Sequence, residues 1–310
     1  MSPLFGITLK LFSGLAFTCM AALIKAMSVR YPIGQMVFFR SSLALIPLLI
    51  WLGYLRHLSD AVTTKRPWNH LKRGIIGSTG MFCGFSALSY IPLPDAVAIS
   101  YATPLIVVVL AALVLGETVR VYRWSAVVIG IIGVGFMLSP HLSPARLAEM
   151  MRGGPAIGAI FALMGALCSA AANIEVRKLT DTETTGAIVF YFMMLTTALG
   201  LSTIVLGWNM PQTGFDWSAL VMIGILGGIG QILMTQSYRY AEASLIAPFE
   251  YMQMIWAILL GWFVFGDFPA TVVLIGAAIV ISAGIFVIFR EQQLGLLKSK
   301  VREAAPTLSK

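Results

Sequence analysis

The chain has 310 residues, of which 58% are hydrophobic and 11% charged, with a net charge of +8 at pH 7 and a mean hydropathy of +0.88. Soluble domains run at about 45–50% apolar and about 25% charged, so this chain has too little charge to cover a water-facing surface. The balance excludes a soluble enzyme, a secreted disulfide scaffold and a disordered tail, and argues against nucleic acid as a partner. It predicts an all-α membrane protein whose apolar side chains face lipid as well as one another.

A helix needs about 20 apolar residues to cross a bilayer. Runs bounded by Pro, Gly and charge predict ten spans, near 5–27, 33–55, 71–91, 94–116, 121–139, 155–177, 185–207, 216–239, 243–265 and 269–289. The connections are short, the longest lying around Arg56 to Lys72 and Pro140 to Gly154. No cleavable signal precedes the first run, and the segment 291–310 reads as a polar tail. Lys and Arg are divided unequally between alternate connections. Arg56, Lys65, Arg66, Lys72, Arg73, Arg120, Arg123, Arg177, Lys178, Arg239 and the basic residues beyond Phe289 fall on one side, against Lys25, Arg30, Arg146 and Arg152 on the other. The positive-inside bias then puts both termini in the cytoplasm.

An internal repeat is the strongest signal. A shift of 150 aligns the halves without a gap: Gly74, Gly77 and Gly80 fall on Gly224, Gly227 and Gly230, Tyr101 on Tyr251, and Gly116-Glu117 on Gly266-Asp267. Five spans per half is an odd number, so the second copy enters the membrane from the other side. The expected architecture is two inverted five-helix repeats, 1–140 and 155–290. Such a pair can expose a site between its halves to either face in turn.

The stretch ATPLIVVVLAALVLGETVRVYRWSAVVIGIIGVGFML closes the first half, and GWFVFGDFPATVVLIGAAIVISAGIFVI, with Asp267 in place of the glutamate, closes the second. Together with VFFRSSLALIPLLI, which holds Arg40, they resemble the EamA family of the drug/metabolite transporter superfamily, and within it the chain is similar to the YddG-type amino-acid exporters. The resemblance covers the chain from about Phe5 to Phe289. It implies a ten-helix bundle in a bacterial inner membrane that exports small metabolites, amino acids first among them and aromatic ones included.

Several residues could carry transport. Glu250 lies about 9 Å into the ninth span, just after Pro248, and is costly there without a partner or water; it could meet a substrate amine, take a proton, or reach the interface. Tyr90, Tyr101, Tyr251 and Met254 could wall an amphipathic cavity, and Asn173 and Gln231 are polar groups inside spans, where interhelical bonding is the commoner use. Pro104 and Pro248 kink or unwind their helices. Gly80 and Gly230, within the stripes Gly74–Gly77–Gly80–Gly84 and Gly224–Gly227–Gly228–Gly230, serve close packing or a hinge. Arg40 could hold a substrate carboxylate or be a structural charge bonded to helix ends, and the structural reading is favoured. Cys19, Cys83 and Cys168 sit in apolar runs as free thiols, and His57, His70 and His141 lie in or beside polar connections, so no metal and no cofactor is expected.

No GxxxxGK[ST] motif occurs, so ATP is not expected as the energy source; the substrate gradient or a proton would drive transport. A multidrug exporter of lipophilic cations is the competing reading, since such cargo wants an acid among aromatic walls. Reporter fusions test the topology: one at Gly34 and one after Arg290 are expected to report opposite sides of the membrane, and finding both on one side contradicts the ten spans.

Overall fold

The computed structural model describes residues 3–54, 63–115, 121–141, 154–180, 182–240 and 252–304. They are helices and short connections. In chain order these are α1 Pro3–Met27, α2 Ile33–Tyr54, α3 Pro67–Tyr90, α4 Leu93–Ser100, α5 Ala102–Leu115, α6 Val121–Leu138, α7 Pro155–Thr180, α8 Thr185–Ser202, α9 Gly214–Tyr240, α10 Met252–Leu260 and α11 Thr271–Ala304. Six segments are long and apolar enough to cross a bilayer: Phe5–Met27, Ile33–Tyr54, Leu93–Leu110, Pro155–Val176, Gly186–Leu206 and Gly214–Met234. Trp124–Leu138, Met252–Phe265 and Thr271–Val287 are shorter apolar helices. α3 stands apart because its first turns carry His70, Lys72 and Arg73. The protein is a multi-pass helical membrane bundle.

Local chemistry sets the element boundaries. Pro67 opens α3 and Pro94 lies in the first turn of α4, where a missing N–H costs nothing. The fourth apolar run is broken. Pro104 lacks the N–H that would bond the Ser100 carbonyl, and its ring crowds that carbonyl. The helix therefore stops at Ser100, Tyr101 takes φ −69° and ψ −6°, and α5 begins at Ala102. Pro104 thus occupies the first turn of α5. α8 tightens into a 3-10 turn at Thr203–Leu206. α10 widens into a π turn, Gly261–Phe265, closed by Gly266 at φ 68°, a conformation that favours glycine. α11 runs past Phe289 to Ala304, so the last span continues as helix into the polar tail.

α3 packs along α7, and α9 along α1. α6 packs on α11, and α2 lies against both α8 and α9. α5 lies on α7, and α10 on α1. The main apolar core gathers Ile24, Met36, Ile91, Leu93, Ile99, Met137, Leu220 and Ile223, side chains contributed by both halves.

Glycine permits these approaches. A Cβ on Gly276 would lie 2.5 Å from the Gly133 carbonyl oxygen, and one on Gly133 would lie 2.8 Å from the Gly276 carbonyl oxygen. Both obstacles are backbone and cannot rotate away. Gly80 meets Cys168 and Ser169 of α7, and Gly230 meets Phe17 of α1 while its carbonyl accepts from Ser13 Oγ at 2.8 Å. Both glycines lie within unbroken helices. Gly84 faces open space. Gly276→Ala is expected to destabilise the bundle by about 1–3 kcal/mol, and Gly84→Ala to stay within about 0.5 kcal/mol of the parent; unfolding midpoints of the purified proteins compare them.

Candidate functional site

Charge in this bundle is sorted by depth. At the Met27 end, Lys25 Nζ donates to the Ile91 carbonyl at 3.0 Å, lies 3.4 Å from Asp267 Oδ2 and sits 5.5 Å from the Phe265 ring centre. One cation thus ties α1 to the α3–α4 corner and to the end of the α10 run. His141 Nε2 is 3.0 Å from Asp95 Oδ2, both side chains buried. Arg30 is 3.5 Å from Asp216, and Asn209 Nδ2 donates to the Arg30 carbonyl at 2.6 Å. At the opposite end Glu175 Oε1 accepts from Lys72 at 2.9 Å and from Lys178 at 3.2 Å. Lys25 and Glu175, aligned by the repeat, therefore lie at opposite ends. The sequence placed His70 and His141 in or beside polar connections; the structure buries both against carboxylates.

Between the two ends lie Arg40 and Arg73. Arg40, on α2, is 4% exposed, and its Nη1 donates to Met193 Sδ at 3.1 Å. No helix-end carbonyl holds it among the described residues. Arg73, counted by the sequence reading among loop cations, belongs to α3, and its Cζ lies 3.5 Å from the ring centre of Phe192. The guanidinia thus rest on neighbouring residues of α8. The burial of Arg73 among the helices is what sequence reasoning missed. The signal for it was Gly77, one helical turn further on: a Cβ there would lie 3.0 Å from Arg73 Nη1.

The other expected site residues are scattered. Gln231 lines a narrow cleft with Trp51, Ala44, Gly228 and Met193, the residue whose sulfur Arg40 touches. Tyr101 and Met254 are buried in the main apolar core. Tyr90 is 39% exposed and stacks on Phe161, with centroids 6.1 Å apart. Asn173 is exposed on α7. Pro248, Glu250 and Tyr251 lie outside the described residues. Among the described residues no group of three His, Cys, Asp or Glu side chains is placed to hold a metal ion.

Apolar helices with ion pairs at both ends and guanidinia between them define a helical bundle embedded in a membrane. The chain belongs to the EamA-like transporter family, which matches residues 4–139 and 156–290. It is 28% identical over 282 residues to the pseudopaline exporter CntI of Pseudomonas aeruginosa, covering 90% of this chain and 94% of that one. It is 27% identical over 256 residues to the S-adenosylmethionine uptake transporter of Rickettsia prowazekii, covering 83% and 82%. The riboflavin transporter of Vibrio cholerae is 27% identical over 288 residues, covering 92% and 93%. A solved crystal structure shares the fold with a TM-score of 0.64 at 19% identity, over 93% of this chain and 98% of that one. Members of the family are transporters, not enzymes: this protein is a secondary transporter of small metabolites.

Glu183 closes the Glu175 end. Its Oε1 accepts from the backbone N–H of Lys65 at 2.9 Å and Arg66 at 3.1 Å and from Thr64 Oγ1 at 3.0 Å. Its Oε2 faces His70 Nε2 at 3.6 Å, and His70 lies against the Tyr191 ring. Burial pushes the Glu183 carboxyl up, but the Lys65 N–H, the Thr64 hydroxyl and the His70 imidazole outweigh it and hold it below the ordinary carboxylate range. A carboxylate depressed on folding adds stability above its unfolded value and loses it as pH falls through the folded one. Glu183→Gln is expected to lower the unfolding midpoint by roughly 2–4 °C at neutral pH, and to flatten its fall between about pH 5 and pH 3. An undiminished acid-side fall would show that another group titrates.

Proposed function

We propose that this secondary transporter exports small metabolites, amino acids first among them, across the bacterial cytoplasmic membrane by alternating access. In this reading ten spans form two inverted five-helix repeats, 1–140 and 155–290, with both termini and the 291–310 tail in the cytoplasm. The observation that carries it is the pairing of helices. A shift of 150 turns the α3–α7 contact into α9–α1, α5–α7 into α10–α1, and α3–α8 into α9–α2, while α6–α11 and α2–α8 map onto themselves. Halves related in this way can exchange conformations, and each exchange opens the opposite face.

Relatives named for pseudopaline, S-adenosylmethionine and riboflavin support a polar metabolite. The YddG-type, amino-acid reading is supported over lipophilic cations because the buried charged side chains well inside the spans, among the described residues, are cations: Lys10, Arg40 and Arg73. Two guanidinia repel a cation and attract a carboxylate. Energy comes from the substrate gradient or from protons, with Glu250 proposed as the proton acceptor.

Flux into proteoliposomes tests the reading, with a panel of L-amino acids and cationic dyes, with and without a pH gradient. Flux of at least one amino acid and none of the dyes is expected; dye flux with no amino-acid flux overturns the assignment in favour of the multidrug reading. Glu250→Gln is expected to keep the fold and to remove the pH dependence of flux between about pH 6 and pH 8. Parent-like flux across that range excludes Glu250 from coupling.

A further inference from the structure

We propose that Arg40 and Arg73 form an anion subsite deep in the bundle that takes the carboxylate of the transported metabolite. The inference rests on the transport reading above and names the group by which the cargo is held. Arg40 lies seven residues beyond Ile33, about 10 Å into α2, and Arg73 six residues beyond Pro67, about 9 Å into α3. α2 and α3 run in opposite senses, so the cations enter from opposite ends of the bundle. Long side chains at such depth ordinarily reach back to the nearer interface. These converge instead on Met193 and Phe192 of α8.

Their partners there do not neutralise them. A thioether sulfur is a weak acceptor, and a ring face offers only its quadrupole. Arg40 Nε, Arg73 Nε and Arg73 Nη1 are buried with no hydrogen-bond partner among the described residues. Each carboxylate whose side chain is described is engaged elsewhere: Asp95 with His141, Glu175 with Lys72 and Lys178, Glu183 with His70, Asp216 with Arg30, and Asp267 with Lys25. The two guanidinia also lie within electrostatic reach of each other, so each makes the other's burial costlier.

The repeat makes the room. A Cβ on Gly77 would lie 3.0 Å from Arg73 Nη1, and one on Gly227, its mate at the 150-residue shift, 3.2 Å from Arg40 Nε. Each half thus gives up a side chain at the same position, and a guanidinium occupies the space. The planar fork of arginine matches a carboxylate with paired N–H donors, which gives orientation as well as attraction. A lipid phosphate shares that chemistry, and the experiment separates the two sources.

The protein is placed in nanodiscs of phosphatidylcholine, and its unfolding midpoint is read with each of the twenty L-amino acids and with the corresponding amides. At least one amino acid is expected to raise the midpoint where its amide does not. Arg73→Gln, and Arg40→Lys, which keeps the charge but loses the fork, are expected to need about tenfold more of that amino acid for the same shift. The subsite is overturned if no acid outperforms its amide, or if both variants respond like the parent. It is also overturned if phosphatidylglycerol nanodiscs give the stabilisation and no amino acid does. Flux separates this from the transport reading. Acid and amide carried equally well removes the subsite and leaves transport. Absent flux with acid-over-amide stabilisation intact removes the amino-acid transport reading and leaves the subsite.

Discussion

The close approach of helix backbones at glycine is the constraint on which this bundle depends. Lipid supplies no hydrophobic drive between helices, so packing distance sets the strength of association. At the α6–α11 crossing Gly133 and Gly276 face each other's carbonyls at distances that exclude a Cβ. Gly228 lies against Pro47 and the Ala44 backbone of α2, and Gly165 of α7 against the backbone of Gly80 and Gly84. Gly200 of α8 lies in the same way against the Phe38 backbone of α2, and Arg40 of α2 and Arg73 of α3 both rest on α8. The glycine that makes the packing also makes the space for charge.

The distribution of polar groups follows from the cost of burying them. Lys25, Asp267, Asp95 and His141 are paired at one end, and Glu175, Glu183, His70 and Lys72 at the other. Each set links several helices, so each holds its end of the bundle together. The guanidinia in between have a sulfur, a ring and one another. Charge is thus paired at the two ends, while the guanidinia of Arg40 and Arg73 keep buried N–H groups without a partner among the described residues.

Where the helix breaks, the backbone itself becomes polar. Pro104 frees a carbonyl at Ser100 and leaves Tyr101 between two short helices, buried in the apolar core. The break falls in the middle of the fourth apolar run. The proline thus divides this run into α4 and α5, Leu93–Ser100 and Ala102–Leu115.

The sequence by itself determined the class of protein, a multi-pass helical membrane bundle of the EamA-like family, because hydropathy and helix length act locally along the chain. Pro104 announced its break for the same reason. Lys25 and Glu175 were legible as residues at opposite ends, since alternation of spans fixes which end each residue occupies. The tertiary structure alone decided which side chains meet. Gln231, Tyr101, Met254, Tyr90 and Asn173 read alike as polar or amphipathic residues inside helices, yet they divide among a cleft, the core and exposed faces. Arg73 looked like a loop cation because charge counting ignores helix rotation. Its burial over Phe192 depends on α8, more than a hundred residues away, packing against the Gly77 face of α3. Partners so distant in the chain are set by the packing of whole helices, and no local pattern of residues records it.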